Sequence, residues 1–128
     1  MLADDTIAAI STPPGEAAIA VIRISGPRAL AIAEQLFARA SPGRPLVERV
    51  LHFGCFRCAE EKLDEGMAVF FRAPHSYTGE HMAEFHCHGG VLVASRLLEA
   101  VLRGEARAAE PGEFTRRAFL NGKMDLTQ

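Results

Sequence analysis

Cysteine is scarce: the 128 residues contain three, an odd number. That excludes a disulfide framework and leads us to expect a reduced, cytoplasmic protein. No apolar run reaches the roughly 18 residues that a membrane-spanning helix requires. The opening segment MLADDTIAAIS carries two aspartates and no Lys or Arg, so it lacks the basic start of a signal peptide. Neither sign of charge is in excess, with 14 Lys+Arg against 16 Asp+Glu and a net charge of −2. This excludes a polybasic nucleic-acid binder that works by bulk charge. Neither a Walker-type nor a dinucleotide-type glycine loop occurs. Internal repeats and low-complexity tracts are also missing.

What is present fits one globular domain. Hydrophobic residues make up 48% of the chain and charged residues 23%. At this length a fold buries roughly two-thirds of its unfolded surface, enough for a core without staples.

The pattern predicts an α+β domain of order β-β-α-β-β-β-α, with a short strand and a third helix after it. Thr6 to Ile10 is the first strand. Thr12-Pro13-Pro14-Gly15 breaks it, because two prolines cannot continue a central strand. Ala17 to Ser25 reads as a strand buried on both faces except at Arg23. Ser25-Gly26-Pro27 predicts a helix start, and Leu30, Ala33, Phe37 and Ala40 predict a helical face running to residue 40. Val50 to Phe56 and Met67 to Phe71 read as an antiparallel hairpin with a long charged connection over 60–65. In His81 to His88, Ala83, Phe85 and Cys87 alternate with Met82, Glu84, His86 and His88. Gly89-Gly90 opens a helix whose core face is Ala94, Leu97, Leu98, Val101 and Leu102, with Glu99 and Arg103 paired at i, i+4 outside. Residues 106–109 suggest a short strand. Pro111-Gly112-Glu113 starts the last helix, which carries Phe114 and Ala118.

Several groups of residues invite a chemical reading. Cys55 and Cys58 with His86, Cys87 and His88 have zinc-binding residue types, but a 28-residue gap and strand alternation do not suit a zinc knuckle. Glu84, His86 and His88 share one strand face, as an acid/base pair or a transition-metal site would require. Gly89-Gly90 at a helix start suits either an anion or tight strand-to-helix packing. Arg23 interrupts an apolar strand, and a lone buried guanidinium needs a partner.

Three ordered segments carry a resemblance: DTIAAISTPPGEAAIAVIRISG (4–26), PHSYTGEHMAEFHCHGG (74–90) and EPGEFTRRAFLNGKMDLTQ (110–128). Together they are similar to the N-terminal domain of the MnmE (TrmE) family of tRNA modification GTPases. The resemblance implies a fold like half of the folate-binding domain of the glycine-cleavage aminomethyltransferase, covering residues 1–122, with 123–128 starting a connection to a helical region. It implies a homodimer that binds 5-formyltetrahydrofolate or a related one-carbon folate, with Arg23, Glu80 and Lys123 at the positions of the family's folate contacts.

A carboxylate at Glu80 would accept the adjacent N–H groups of a pterin bidentately, and the two cations would meet carbonyl or carboxylate oxygens. In the whole family protein, a GTPase domain using GTP, magnesium and potassium acts with the flavin-dependent partner MnmG (GidA) on the wobble uridine of tRNA. This chain lacks the GTPase motifs, so no catalytic residue is assigned to it. Two other readings remain open: a pure dimerisation module, or a small metal-dependent enzyme using Glu84, His86 and His88.

Overall fold

The computed structural model of the chain describes residues 4–11, 19–41, 43 and 47–123. The Thr12-Pro13-Pro14-Gly15 break, residues 17 and 18 of the expected second strand, Pro42, and residues 124–128 lie outside them. The described elements are β1 (Thr6–Ile10), β2 (Ala20–Ser25), α1 (Ala29–Leu36), β3 (Phe37–Arg39), β4 (His52–Cys58), β5 (Glu61–Phe71), β6 (Met82–Cys87), α2 (Gly90–Leu102), β7 (Ala106–Ala108) and α3 (Glu113–Leu120). They form a mixed seven-stranded sheet of order β3-β4-β5-β6-β2-β1-β7, in which only the β1–β7 pair is parallel. This is the α+β mixed-sheet class that the patterning predicts.

Register sorts the side chains onto two faces. Ala8, Ile24, Ala83 and Phe70 sit opposite one another across four strands, and Ile22, Phe85 and Ala68 form the neighbouring row. These residues join Ile32 and Ala33 of α1 and Leu97 and Val101 of α2 in one buried core. The Phe56 and Phe85 rings meet there at 4.9 Å between centroids. The alternation in β6 is as expected, with Ala83, Phe85 and Cys87 fully buried. The opposite face of β2 carries Arg23 and Ser25, paired with Glu84 and Met82 of β6.

Three expectations need correction. Helix α1 stops at Leu36, four residues early, and Phe37 turns into the extended β3, which pairs with β4. The Phe37 ring gains contacts with Phe56 at 5.5 Å and Phe70 at 6.3 Å that a longer helix would forgo. Gly54 permits this approach, because a Cβ there would lie 2.1 Å from the Ala38 carbonyl oxygen.

The second correction concerns the β4–β5 connection, which is short. Cys58 pairs with Glu61 across Ala59 and Glu60, and Ala59 adopts a left-handed φ of 56°. The charged stretch read as a connection is the exposed start of β5. Its backbone pairs while Lys62 bonds Glu65 at 2.5 Å and Glu61 reaches Arg96 of α2 at 2.6 Å.

The third concerns the start of α1. The helix begins at Ala29, beyond Pro27, with no cap from Ser25. Thr6 Oγ1 of β1 accepts the Arg28 N–H at 2.8 Å instead. Ser25 is thereby left for another partner.

Candidate functional site

The loop of residues 72–81 crosses the β2 face opposite the helical core and meets α3. Tyr77 Oη lies 3.0 Å from Thr115 Oγ1, and the Asn121 side-chain amide donates to the Thr78 carbonyl at 2.8 Å. Glu80 ends this loop, only 5% exposed. A carboxylate that deep needs donors and counter-charge. Ser25 Oγ donates to Glu80 Oε1 at 2.7 Å, and Arg117 Nη1 of α3 lies 3.2 Å from both carboxylate oxygens. Ser25 is held in turn by Thr78 Oγ1 at 2.7 Å.

These donors limit what Glu80 can accept. A carboxylate has about four lone-pair positions. Among the described residues Oε1 accepts from Ser25 Oγ and shares Arg117 Nη1 with Oε2, which has no second donor. Oε2 is therefore the less occupied oxygen of the Glu80 carboxylate.

Arg23 finds the partner that its burial demands. Its Nε and Nη2 both lie 3.1 Å from Glu84 Oε2, directly across the β2–β6 pair. Its guanidinium sits 5.5 Å from the Tyr77 ring centroid and 5.8 Å from that of Phe114, both within cation–π range. Lys123 follows α3, with its N–H bonded to the Ala118 carbonyl at 2.8 Å. Its side chain lies beside Gly79, where a Cβ would come 3.2 Å from Lys123 Cγ. Gly79 also has φ of 83°, a conformation that glycine adopts without strain. The three residues named from sequence thus sit around one structural unit. Arg23 touches Tyr77 of the loop, Glu80 closes the loop, and Lys123 packs on Gly79 within it.

The sequence reading missed the buried ion network behind Glu80. Arg117 is 5% exposed, with Nη1 donating to the Asp5 carbonyl at 2.8 Å and Nη2 to Asp5 Oδ1 at 2.5 Å. Arg117 Nη2 also lies 3.4 Å from Glu113 Oε2. Glu113, 2% exposed, accepts from Arg107 Nη1 at 2.8 Å and from the Glu110 N–H at 2.9 Å. Three carboxylates thereby face two guanidiniums, and Arg116, 3.6 Å from Glu113, adds a third cation at the rim. The Arg107 hydrogen bond, with help from the Glu110 N–H and Arg117, holds the Glu113 carboxyl down to about 2. The Arg107 hydrogen bond also lowers Asp5, aided by Arg117. The available signal was Glu113 and Arg117 at i, i+4 on a helix, a spacing that also describes an ordinary solvated pair.

The other chemical groupings come apart. Glu84 Oε1 lies 3.4 Å from His86 Nε2, but His88 Nδ1 faces the Glu65 carbonyl at 3.3 Å. Among the described residues no group of three His, Cys, Asp or Glu side chains is arranged to hold a metal ion. All three cysteines are free, and burial pushes the Cys87 thiol up to about 11, far from a reactive thiolate. At the start of α2 the His88 and Gly89 N–H groups bond Asp64 Oδ2 at 2.7 and 2.9 Å. An internal carboxylate therefore takes the place of an outside anion there. No helix among the described residues is long and apolar enough to cross a membrane.

The comparisons with known proteins bear on the family. A family model described as "GTP-binding protein TrmE N-terminus" matches residues 6–123. A protein of Roseiflexus castenholzii named tRNA modification GTPase MnmE is 52% identical over 128 residues, covering 100% of this chain and 28% of the relative. Proteins of the same name from Chlamydia pneumoniae and Moorella thermoacetica are 47% and 52% identical. They cover 100% and 98% of this chain, and 28% of each relative. The chain thus spans just over a quarter of the length of these curated relatives.

Proposed function

Because the chain belongs to the TrmE N-terminal family, the amino-terminal domain of tRNA modification GTPases, we propose that it is a folate-binding and dimerisation module. Its ligand is 5-formyltetrahydrofolate or a related one-carbon folate, held by Arg23, Glu80 and Lys123. The observation that carries this reading is that residues from three distant segments gather around the 72–81 loop. The chemistry of that donor set suits a folate. Arg23 and Lys123 supply cations for carbonyl and carboxylate oxygens. Glu80 supplies one acceptor for a ring N–H, and the 45%-exposed Tyr77 offers a flat surface.

When bound, the folate supplies a one-carbon unit, and the residues of this chain only bind and orient it. The whole protein would be a cytoplasmic homodimer acting with a flavin-dependent MnmG (GidA) partner on the wobble uridine of tRNA. GTP, magnesium and potassium would belong to its GTPase region.

Calorimetric titration with 5-formyltetrahydrofolate tests the reading. Saturable binding is expected, and Glu80→Gln should weaken it by about 1–3 kcal/mol, the range for a hydrogen bond to a charged group. No binding by the folded chain would overturn the reading, and an unchanged Kd in the variant would remove Glu80 from the site.

A further inference from the structure

We propose that Arg117, with Ser25 as the second donor, is the positioning residue that fixes the Glu80 carboxylate and selects the single oxygen position offered to a ligand. The inference rests on the folate reading above. Glu80 and Arg117 are each 5% exposed, so neither can change partner without opening the loop or α3. Arg117 Nη1 straddles both Glu80 oxygens at 3.2 Å, which sets the direction the carboxylate faces. Ser25 Oγ bonds Oε1 at 2.7 Å, and among the described residues Oε2 has no second donor, so Oε2 is the side with room for a ligand N–H.

The guanidinium is locked from behind. It donates to the Asp5 carbonyl at 2.8 Å and to Asp5 Oδ1 at 2.5 Å, and Glu113 Oε2 lies 3.4 Å away. Rotating it would break its bonds to Asp5, which precedes β1, and to Glu113 of α3. Buried and engaged in this way, Arg117 acts through Glu80 and not on the ligand. The neighbouring Arg116, with a side chain 54% exposed, lies at the rim and takes no part in holding Glu80. The guanidinium fork spans Glu80 through Nη1 and Asp5 and Glu113 through Nη2, and the single ammonium point of lysine cannot hold both sides. The ligand class that follows is a ring presenting one N–H to Oε2.

The test is calorimetric titration of the chain with 5-formyltetrahydrofolate, with melting temperature recorded beside it. Wild type, Arg117→Lys, Glu80→Gln and the double variant are compared. Arg117→Lys should raise Kd about tenfold, the scale of one charge-assisted hydrogen bond. The double variant should bind no more weakly than the weaker single, because both changes disable one device. A purely structural Arg117 would lower the melting temperature and leave Kd unmoved. That result, or two effects that multiply, would overturn the inference while the folate reading stands. Should Arg117→Lys fail to fold, Ser25→Ala decides: raised Kd supports the inference, and unchanged Kd overturns it. A wild-type chain that does not bind would overturn the folate reading itself, and this inference with it.

Discussion

Single residues in this protein are fixed by their charge partners. Arg23 interrupts an apolar strand, and the cross-strand position opposite it holds Glu84. Glu113 is the clearest case with a pH consequence. Its carboxyl is held at about 2 in the fold, below its ordinary value of 4.5, with the Arg107 hydrogen bond as the main cause. A depressed carboxylate adds stability that is present above the unfolded value and lost as pH falls through the folded one. The loss should therefore run from about pH 4.5 down to about pH 2. Arg107 is 44% exposed, so solvent screens part of the effect, and about 1–3 kcal/mol is expected. Urea midpoints measured at pH 5 and pH 3 should fall steeply in wild type and much less in Glu113→Gln. Equal slopes would show that the pair contributes nothing.

Arg23's need for a partner was legible, because an isolated buried guanidinium is costly. Arg117 was not. On a helix with polar neighbours nothing distinguishes a buried arginine from an exposed one until the loop carrying Glu80 is folded over it.

At the scale of elements, local signals worked where they were self-contained. Helix α2 begins at the glycine pair, and Glu99 bonds Arg103 at 2.9 Å as the spacing predicts. The anchor of the turn before it was hidden, because Asp64, which bonds the His88 and Gly89 N–H groups, comes from β5, more than twenty residues away. Asp64→Ala should cost about 1 kcal/mol, the usual net size of a lost hydrogen bond. Chemical denaturation measures this, and a change within a few tenths would mean that water replaces the carboxylate. Strand β3 was hidden for a similar reason. Phe37 keeps the helical period of α1, yet tertiary contact with Phe56 and Phe70 draws it into the sheet. The β4–β5 ribbon misled because its exposed half is charged, and charge describes a solvated strand as well as a loop.

The whole molecule divides its work between the two faces of one sheet. One face packs α1 and α2 into the core, and the other carries the polar site beneath the 72–81 loop and α3. Phe85→Ala should therefore lower stability by about 3–5 kcal/mol, as deletion of a fully buried aromatic does. Phe53→Ala, at a residue 52% exposed, should change it by about 0.5 kcal/mol or less. Equilibrium unfolding distinguishes the two, and equal losses would place Phe53 in an interface. Sheet class and core rows were readable from period-two alternation. The convergence of Arg23, Glu80 and Lys123 was not, since nothing local links positions 23, 80 and 123. Only the family resemblance named them together.

The central claim is that this convergence holds a one-carbon folate. The most direct measurement is a crystal structure of the chain grown with 5-formyltetrahydrofolate. Density for the ligand beside Arg23 and Lys123, with one ring N–H on Glu80 Oε2, is the predicted result. Ligand bound elsewhere, or density absent at saturating concentration, would contradict it.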